Sequence, residues 1–261
     1  MISTSPSSLK WAGLLLGFAL GGFFDGILLY QILQWHHLLS NVDAVRDMRL
    51  QIMFDGLFHA LMYVIAFVGV MKLWRARRAV NGPGSGKWLW GNAFLGFGAW
   101  HIADSVLSHW VTGIHRIRVD APNPLAWDLL WFVAFGLAPM VAGLTMVRRN
   151  GPQGRDRNGH KAASALGITA LLAGSIAAMP SGADPTQRVV LFAPGISTRD
   201  AFNALASVDA RVLWVDRSGG TWVIKTDAPS NASKLYGRGA MLVSSAVLPM
   251  GCLSWTKASK T

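Results

Sequence analysis

The sequence predicts an all-α membrane bundle of four helices plus a fifth tethering helix, followed by a small α+β, ferredoxin-like extramembrane domain. Hydrophobic residues make up 52% of the chain and charged residues only 14%, whereas soluble domains usually carry more charge. Long apolar segments fill the first part of the chain, and short β-branched runs fill the last part. We therefore expect a four-helix transmembrane domain at 1–150, a basic cytoplasmic loop and fifth transmembrane helix at 151–185, and an external domain at 186–261.

Five segments are long and apolar enough to cross a hydrocarbon core, which takes about 20 helical residues. Tryptophans near their ends fit the aromatic belts found at headgroup level. The first segment is too long for a cleaved signal peptide and lacks a small-residue cleavage site. The predicted spans cover residues 11–33, 52–74, 88–111, 127–147 and 162–180.

Basic residues predict the orientation, because Lys and Arg near helix ends resist translocation. The connections after the second and fourth spans are rich in Lys and Arg, whereas the first connection balances its charges. The N-terminus is then cytoplasmic, and the C-terminal domain is periplasmic or extracellular. The predicted location is a bacterial inner (plasma) membrane, crossed several times. Much of the net charge of +11 lies between apolar segments, so the expected partner is the lipid bilayer and not nucleic acid.

The pattern of the C-terminal part predicts the order strand, helix, strand, strand, helix, strand. The predicted strands are at 189–193, 212–216, 222–225 and 241–247, and the predicted helices are at 198–208 and 231–236. Ser197 or Thr198 is the expected cap of the first helix. This order is the ferredoxin-like pattern, which hosts many unrelated functions. Binding of an external protein partner is one role open to such a domain.

Histidine and aspartate side chains cluster in the first four spans, toward the outer side. Ionisable groups inside a bilayer are expensive and normally mark a functional path. At a rise of about 1.5 Å per residue, Asp25 and His101 lie roughly 14 Å deep. His59 and Asp104 lie roughly 8 Å deep by the same rise. The remaining members lie near the outer boundary: Asp55, His109, His36 and His37.

Helical phase supports part of this cluster, since residues three or four apart share a helix face. Asp55 and His59 are four apart, and His101 and Asp104 are three apart. His109, five residues after Asp104, does not share that face in a regular α-helix. The interior of the cluster is thus expected to consist of two layers, with the remaining members forming its rim.

Imidazole and carboxylate groups together suit transition metals, and we expect copper, iron or zinc. The preferred ligand set is Asp25, His59, His101 and Asp104, with Asp55, His109, His36 and His37 as further metal-site candidates. The predicted function is metal binding at an outward-facing site, serving a membrane oxidoreductase or metal handling. The alternatives are a proton-coupled transporter or membrane subunit that uses the same residues without metal, and a structural or assembly partner.

The other polar residues give weaker indications of a function. His115, Arg116 and Arg118 are best interpreted as a solvated loop. The glycine-rich stretch at 82–87 lacks the residues of a phosphate-binding loop and predicts a flexible turn. The single cysteine, Cys252, excludes an internal disulfide and a multi-thiolate metal site within one chain, and it predicts a packed thiol.

Four sequence runs occur in order along the first 110 residues: GGFFDG at 21–26, QILQWHH at 31–37, DGLFH at 55–59 and DSVLSHW at 104–110. Together they resemble a bacterial family of predicted membrane proteins, domain of unknown function 2243, over residues 9–149. The resemblance implies the four-helix unit and the importance of the motif residues, but no particular reaction. Tyr30 stands where the family often has histidine, so no ligand is implied at that position.

Overall fold

The computed structural model describes residues 6–33, 35–45, 48–119, 121–149, 158–178, 186–216, 218–227 and 229–244. The chain forms two compact units. The helical unit comprises Met1–His36 and Asp55–Ala178, and the C-terminal unit comprises His37–Phe54 and Met179–Thr261. Each unit has its own hydrophobic core.

The helical unit is built from helices whose limits lie close to the predicted apolar segments. Their bounds are α1 Pro6–Asp25, α2 Met48–Arg75, α3 Ser85–Asp104, α4 Pro124–Trp131, α5 Ala138–Arg149 and α6 Gly159–Ala177. The unit includes α2 from Asp55 onward. Within the described residues, three helical stretches are long and apolar enough to cross a membrane, namely Ser7–Ile32, Met53–Arg75 and Pro124–Arg149. The prediction of five spans goes beyond these three and stays a prediction.

Helix α3 lies at the centre of the unit, where it packs against α1, α5 and α6. A Cβ atom at Gly96 would lie only 2.0 Å from the backbone oxygen of Leu14, so glycine lets the backbones of α3 and α1 touch. The central position also accounts for the polar side chains of α3: Asn92, His101 and Asp104 are all buried inside protein. A helix surrounded by protein does not need a uniformly apolar surface.

Three of these helices pass into π-helical segments, in which the backbone hydrogen bonds join residues five apart. Gly26–Ile32 follows α1, Ser105–Val111 follows α3, and Phe132–Leu137 separates α4 from α5. A π-helical turn brings residues five apart onto one face, which a regular α-helix does not. These segments therefore decide which polar side chains meet.

The C-terminal unit contains an antiparallel four-stranded sheet of order β2-β3-β1-β4. Val190, in the central strand β1, pairs with Trp222 on one side and Val243 on the other. Ser197 caps α7 through a hydrogen bond donated by the Asp200 backbone N–H to its hydroxyl, as predicted. The elements are β1 Gln187–Phe192, α7 Thr198–Ala206, β2 Arg211–Val215, β3 Thr221–Lys225, the 3₁₀ helix Pro229–Arg238 and β4 Ala240–Ser244. Cys252 and the predicted strand end at 245–247 lie outside the described residues.

Candidate metal centre

Three buried side chains of the helical unit bring metal-ligating atoms together: Asp104, His109 and His115. One ligand atom from each lies within 4.8 Å of the others. The Asp104 carboxylate lies 3.2 Å from His109 Nε2 and 3.5 Å from His115 Nε2. Both histidines are 0% exposed and Asp104 is 6% exposed. We call these three residues the metal triad.

Local backbone geometry explains why Asp104 and His109 meet. Asp104 is the last residue of α3, and His109 lies in the π-helical segment Ser105–Val111 that follows it. Because π-helical geometry places residues five apart on one face, the two side chains converge. The expectation that His109 points away from Asp104 is therefore wrong, since it assumed that the α-helical repeat continues.

His115 reaches the triad from the connection between Val111 and Pro124. Its interpretation as part of a solvated loop is wrong, because the side chain is 0% exposed. Ile117, two residues later, is also 0% exposed and anchors the connection inside the unit. The connection thus folds back over the end of α3 and brings His115 to Asp104.

Asp128, in α4, holds both His109 and the connection in place. Its Oδ1 lies 3.1 Å from His109 Nδ1 and accepts a hydrogen bond of 3.0 Å from the Ile117 backbone N–H. Its Oδ2 accepts a 2.7 Å hydrogen bond from Arg116. With Nδ1 facing Asp128, the Nε2 atom of His109 faces Asp104.

His36 stacks on His115, with ring centroids 4.6 Å apart and planes 9° from parallel. Its Nδ1 donates a 3.0 Å hydrogen bond to the Ile117 carbonyl, and its buried Nε2 has no hydrogen-bond partner among the described residues. Burial lowers the pKa of His36 well below its ordinary value, and the neighbouring His115 acts in the same direction. Burial therefore favours the neutral imidazole of His36, the form that can bind a metal.

Two more histidines share this arrangement. His59 Nδ1 donates to the Asp55 carbonyl at 2.8 Å, and His101 Nδ1 donates to the Phe97 carbonyl at 3.0 Å. In both, Nε2 is buried with no hydrogen-bond partner among the described residues. A Cβ atom at Gly26 would lie 2.5 Å from His59 Nε2, so glycine leaves room for this ring against the π-helical segment that follows α1.

Asp25 is an acidic side chain buried inside the helical unit. It is 1% exposed, and neither carboxylate oxygen has a hydrogen-bond partner among the described residues. It interacts electrostatically with Asp104 and His109, so it lies in the neighbourhood of the metal triad. A buried carboxylate without donors carries a large desolvation cost, which a cation nearby would offset.

The structure thus groups the predicted residues differently from the sequence. Of the expected ligands Asp25, His59, His101 and Asp104, only Asp104 belongs to the triad. The other three are buried or partly buried in the same unit, and their roles as ligands stay predictions. Among the expected rim residues, His109 and His36 lie at or beside the triad, and Asp55 contributes its carbonyl to His59. His37 belongs to the C-terminal unit, where its backbone N–H donates to the Ser40 hydroxyl.

Sequence reasoning missed Asp128 and undervalued His115. Asp128 was detectable as an acidic residue within the fourth apolar segment, a position where charge is expensive. His115 gave no such signal, because only the fold of its connection buries it.

Comparison with known proteins gives one match. The family of predicted membrane proteins DUF2243 matches residues 12–150, more than half of the chain, and this range contains the whole metal triad and Asp128. No curated protein and no solved structure matches the chain. On the family match, the chain belongs to the DUF2243 family of predicted membrane proteins.

Proposed function

We propose that this membrane protein binds a transition metal ion at the metal triad. The observation that carries the proposal is the convergence of three buried donor groups, one carboxylate and two imidazoles, within 4.8 Å. Burial of such groups in an apolar helical unit is costly unless they are paired or bind a metal.

The donor distances suit an ion. Ligands about 2.1 Å from a tetrahedral or octahedral metal are separated by about 3.0 to 3.4 Å. The separation of 3.2 Å between Asp104 Oδ2 and His109 Nε2 lies in that range, and the separation of 3.5 Å between Asp104 Oδ1 and His115 Nε2 is slightly longer. Two imidazoles and one carboxylate are used by catalytic zinc and non-haem iron sites, which keep positions open for other ligands.

Asp128 gives the triad the support that metal-binding histidines usually have. A carboxylate that accepts from the outer ring nitrogen fixes the tautomer and makes the imidazole a better ligand. Asp128 stands in this relation to His109 through the 3.1 Å contact at Nδ1.

The free Nε2 atoms of His36, His59 and His101 extend the proposal. Each ring is held through Nδ1 by a carbonyl, so that only Nε2 is available to an ion or its ligand. We propose that these residues and Asp25 surround the ion and serve either its redox chemistry or its transfer. The basic connections favour an outward-facing site in a bacterial inner membrane.

Metal analysis of the purified full-length protein tests the proposal. We expect about one bound copper, iron or zinc ion per chain in the wild type, and loss of that ion in His109→Ala. His160→Ala is the matched control, because His160 is an exposed histidine at the start of α6 and lies outside the triad. X-ray absorption at the metal edge would show nitrogen and oxygen ligands.

Two results would overturn the metal proposal. One is wild-type protein that contains no transition metal and takes up none on reconstitution. The other is equal metal loading in His109→Ala and His160→Ala. Redox titration of a loaded protein then shows whether the bound ion changes its oxidation state, which an oxidoreductase site requires and a zinc ion does not do.

A proton pathway is the second candidate, and one observation favours it. His109 bridges Asp104 and Asp128, and Asp128 pairs with Arg116, which is 34% exposed at its side chain. This chain of ionisable groups leads from the buried triad toward the surface, as in proton relays. Proton uptake by metal-free protein in liposomes, abolished by His109→Gln, would support it; uptake unchanged by the substitution would exclude it.

For the C-terminal unit we propose a ferredoxin-like fold that binds an external protein. The antiparallel order β2-β3-β1-β4 supports the fold. Strand β2 lies at the edge of the sheet and exposes Val212, Leu213 and Val215, an apolar edge suited to pairing with another chain. Crosslinking in whole cells from a photoreactive residue at position 213, compared with position 199 on α7, tests this partner.

A further inference from the structure

A groove runs between α2 and α6 on the surface of the helical unit. Two adjacent cavities form it, with volumes of about 400 Å³ and 240 Å³, and Val70 lines both. Tyr63 closes one end by donating a 2.6 Å hydrogen bond to the Gly174 carbonyl. The larger cavity is otherwise lined mainly by apolar side chains such as Phe23, Phe67 and Leu171.

The opposite end of the groove is basic. Arg77 and His160 line the smaller cavity, together with Trp74. The Arg77 guanidinium lies 5.3 Å from the centroid of the Trp74 ring, which holds the charge beside the opening. Arg77 follows the end of α2 and His160 lies at the start of α6, so both stand at the same end of the two helices.

The length of the groove corresponds to one leaflet of a bilayer. Tyr63 and Trp74 are eleven residues apart on α2, which is about 16 Å of helix. A hydrocarbon core is about 30 Å thick, so one leaflet is about 15 Å. The groove therefore offers an apolar channel one acyl chain long that ends in positive charge.

We propose that this groove is a binding site for an anionic phospholipid, with an acyl chain between α2 and α6 and the phosphate beside Arg77 and His160. Basic pockets between membrane helices are recognised by anionic headgroups. The stretch from Lys72 to Lys87 contains five basic residues and no acidic one. The charge around the opening therefore favours an anionic headgroup. A zwitterionic lipid has the same chains but no net charge, and it binds more weakly.

Native mass spectrometry of the purified full-length protein tests this site. The probes are dioleoyl phosphatidylglycerol and dioleoyl phosphatidylcholine at equal concentration. We expect the wild type to retain phosphatidylglycerol preferentially. The double variant Arg77→Gln, His160→Gln should lower that retention about fivefold, the effect of losing about one cationic contact. Arg78→Gln is the matched control, because Arg78 is a neighbouring basic residue that does not line the groove.

A second pair of variants tests the apolar part. Val70→Trp fills the groove and should reduce retention of both lipids, whereas Val64→Trp, on a 60% exposed position outside the groove, should not. Metal content should match the wild type in all variants, which separates this site from the metal triad. Equal retention of the two lipids by the wild type, or unchanged retention in the double variant, would overturn the proposal.

Discussion

Two buried aspartates, one in each unit, are held in opposite ways. Asp216, 7% exposed in the turn between β2 and β3, accepts backbone hydrogen bonds of 2.9 Å from both Gly220 and Thr221 and a third bond from the Ser218 hydroxyl. Asp25, 1% exposed in the helical unit, has no hydrogen-bond partner at either oxygen among the described residues. The Asp216 carboxylate stabilises a turn, whereas the Asp25 carboxyl group is buried without any such partner.

The difference distinguishes a buried carboxyl group that stabilises the fold from one that is available to a ligand. A buried carboxylate whose oxygens accept from nearby N–H and O–H groups contributes to the fold, since those groups replace water. Burying a carboxyl group without such donors is costly, whether it binds a cation or takes up a proton. The contrast therefore points to the helical unit as the place of chemistry, and three substitutions test it.

Asp128→Asn should have the largest effect. Asparagine keeps the shape of the side chain but loses the charge that orients His109, and loss of such a supporting carboxylate typically weakens metal binding 10- to 100-fold, about 1.4 to 2.7 kcal/mol. Competition with a chelator of known affinity measures the change. Asp209→Asn, at an exposed aspartate of the C-terminal unit, is the control; if both variants bind the ion equally well, Asp128 serves only the connection at Ile117.

Asp216→Asn should lower the stability of the C-terminal unit by about 2 kcal/mol, because a neutral amide oxygen accepts the two backbone N–H groups more weakly than a carboxylate does. Hydrogen exchange of the β2 and β3 amides is the measurement, and metal content should not change. Exchange rates equal to those of the wild type would show that the turn does not depend on this carboxylate.

Asp25→Asn should have the smallest effect and the opposite sign. In metal-depleted protein the substitution removes the cost of burying a carboxyl group that has no hydrogen-bond partner, and it should raise the free energy of unfolding by about 1 kcal/mol. Thermal unfolding in detergent, before and after metal is added, measures it, with Asp216→Asn run alongside. A loss of stability in the metal-depleted Asp25 variant would contradict the contrast between the two aspartates.

The positions of the helices and strands were predictable from local patterns. Apolar segment length gave helix limits close to those of α2 and α6, and Ser197 marked the start of α7 by its capping chemistry. The concentration of His and Asp in the first half of the chain also indicated where polar groups would be buried. These features depend on neighbouring residues, which the sequence displays directly.

The membership of the candidate site depended on more than local pattern. A 3.6-residue repeat excluded His109 from the face of Asp104, but the π-helical segment after α3 brings the two together. His115 and Asp128 entered only because a connection folds back and a fourth helix packs beside it. Such contacts link residues from separate elements.

The sequence by itself therefore determined that this is a membrane protein, where its apolar helices lie and which residue types could carry its chemistry, because hydropathy and charge act along the chain. Only the tertiary structure decided that Asp104, His109 and His115 converge and that Asp128 supports them. The convergence of these four side chains depends on the local helical repeat and on the packing of distant segments. A small change in either would turn one of them away from the others.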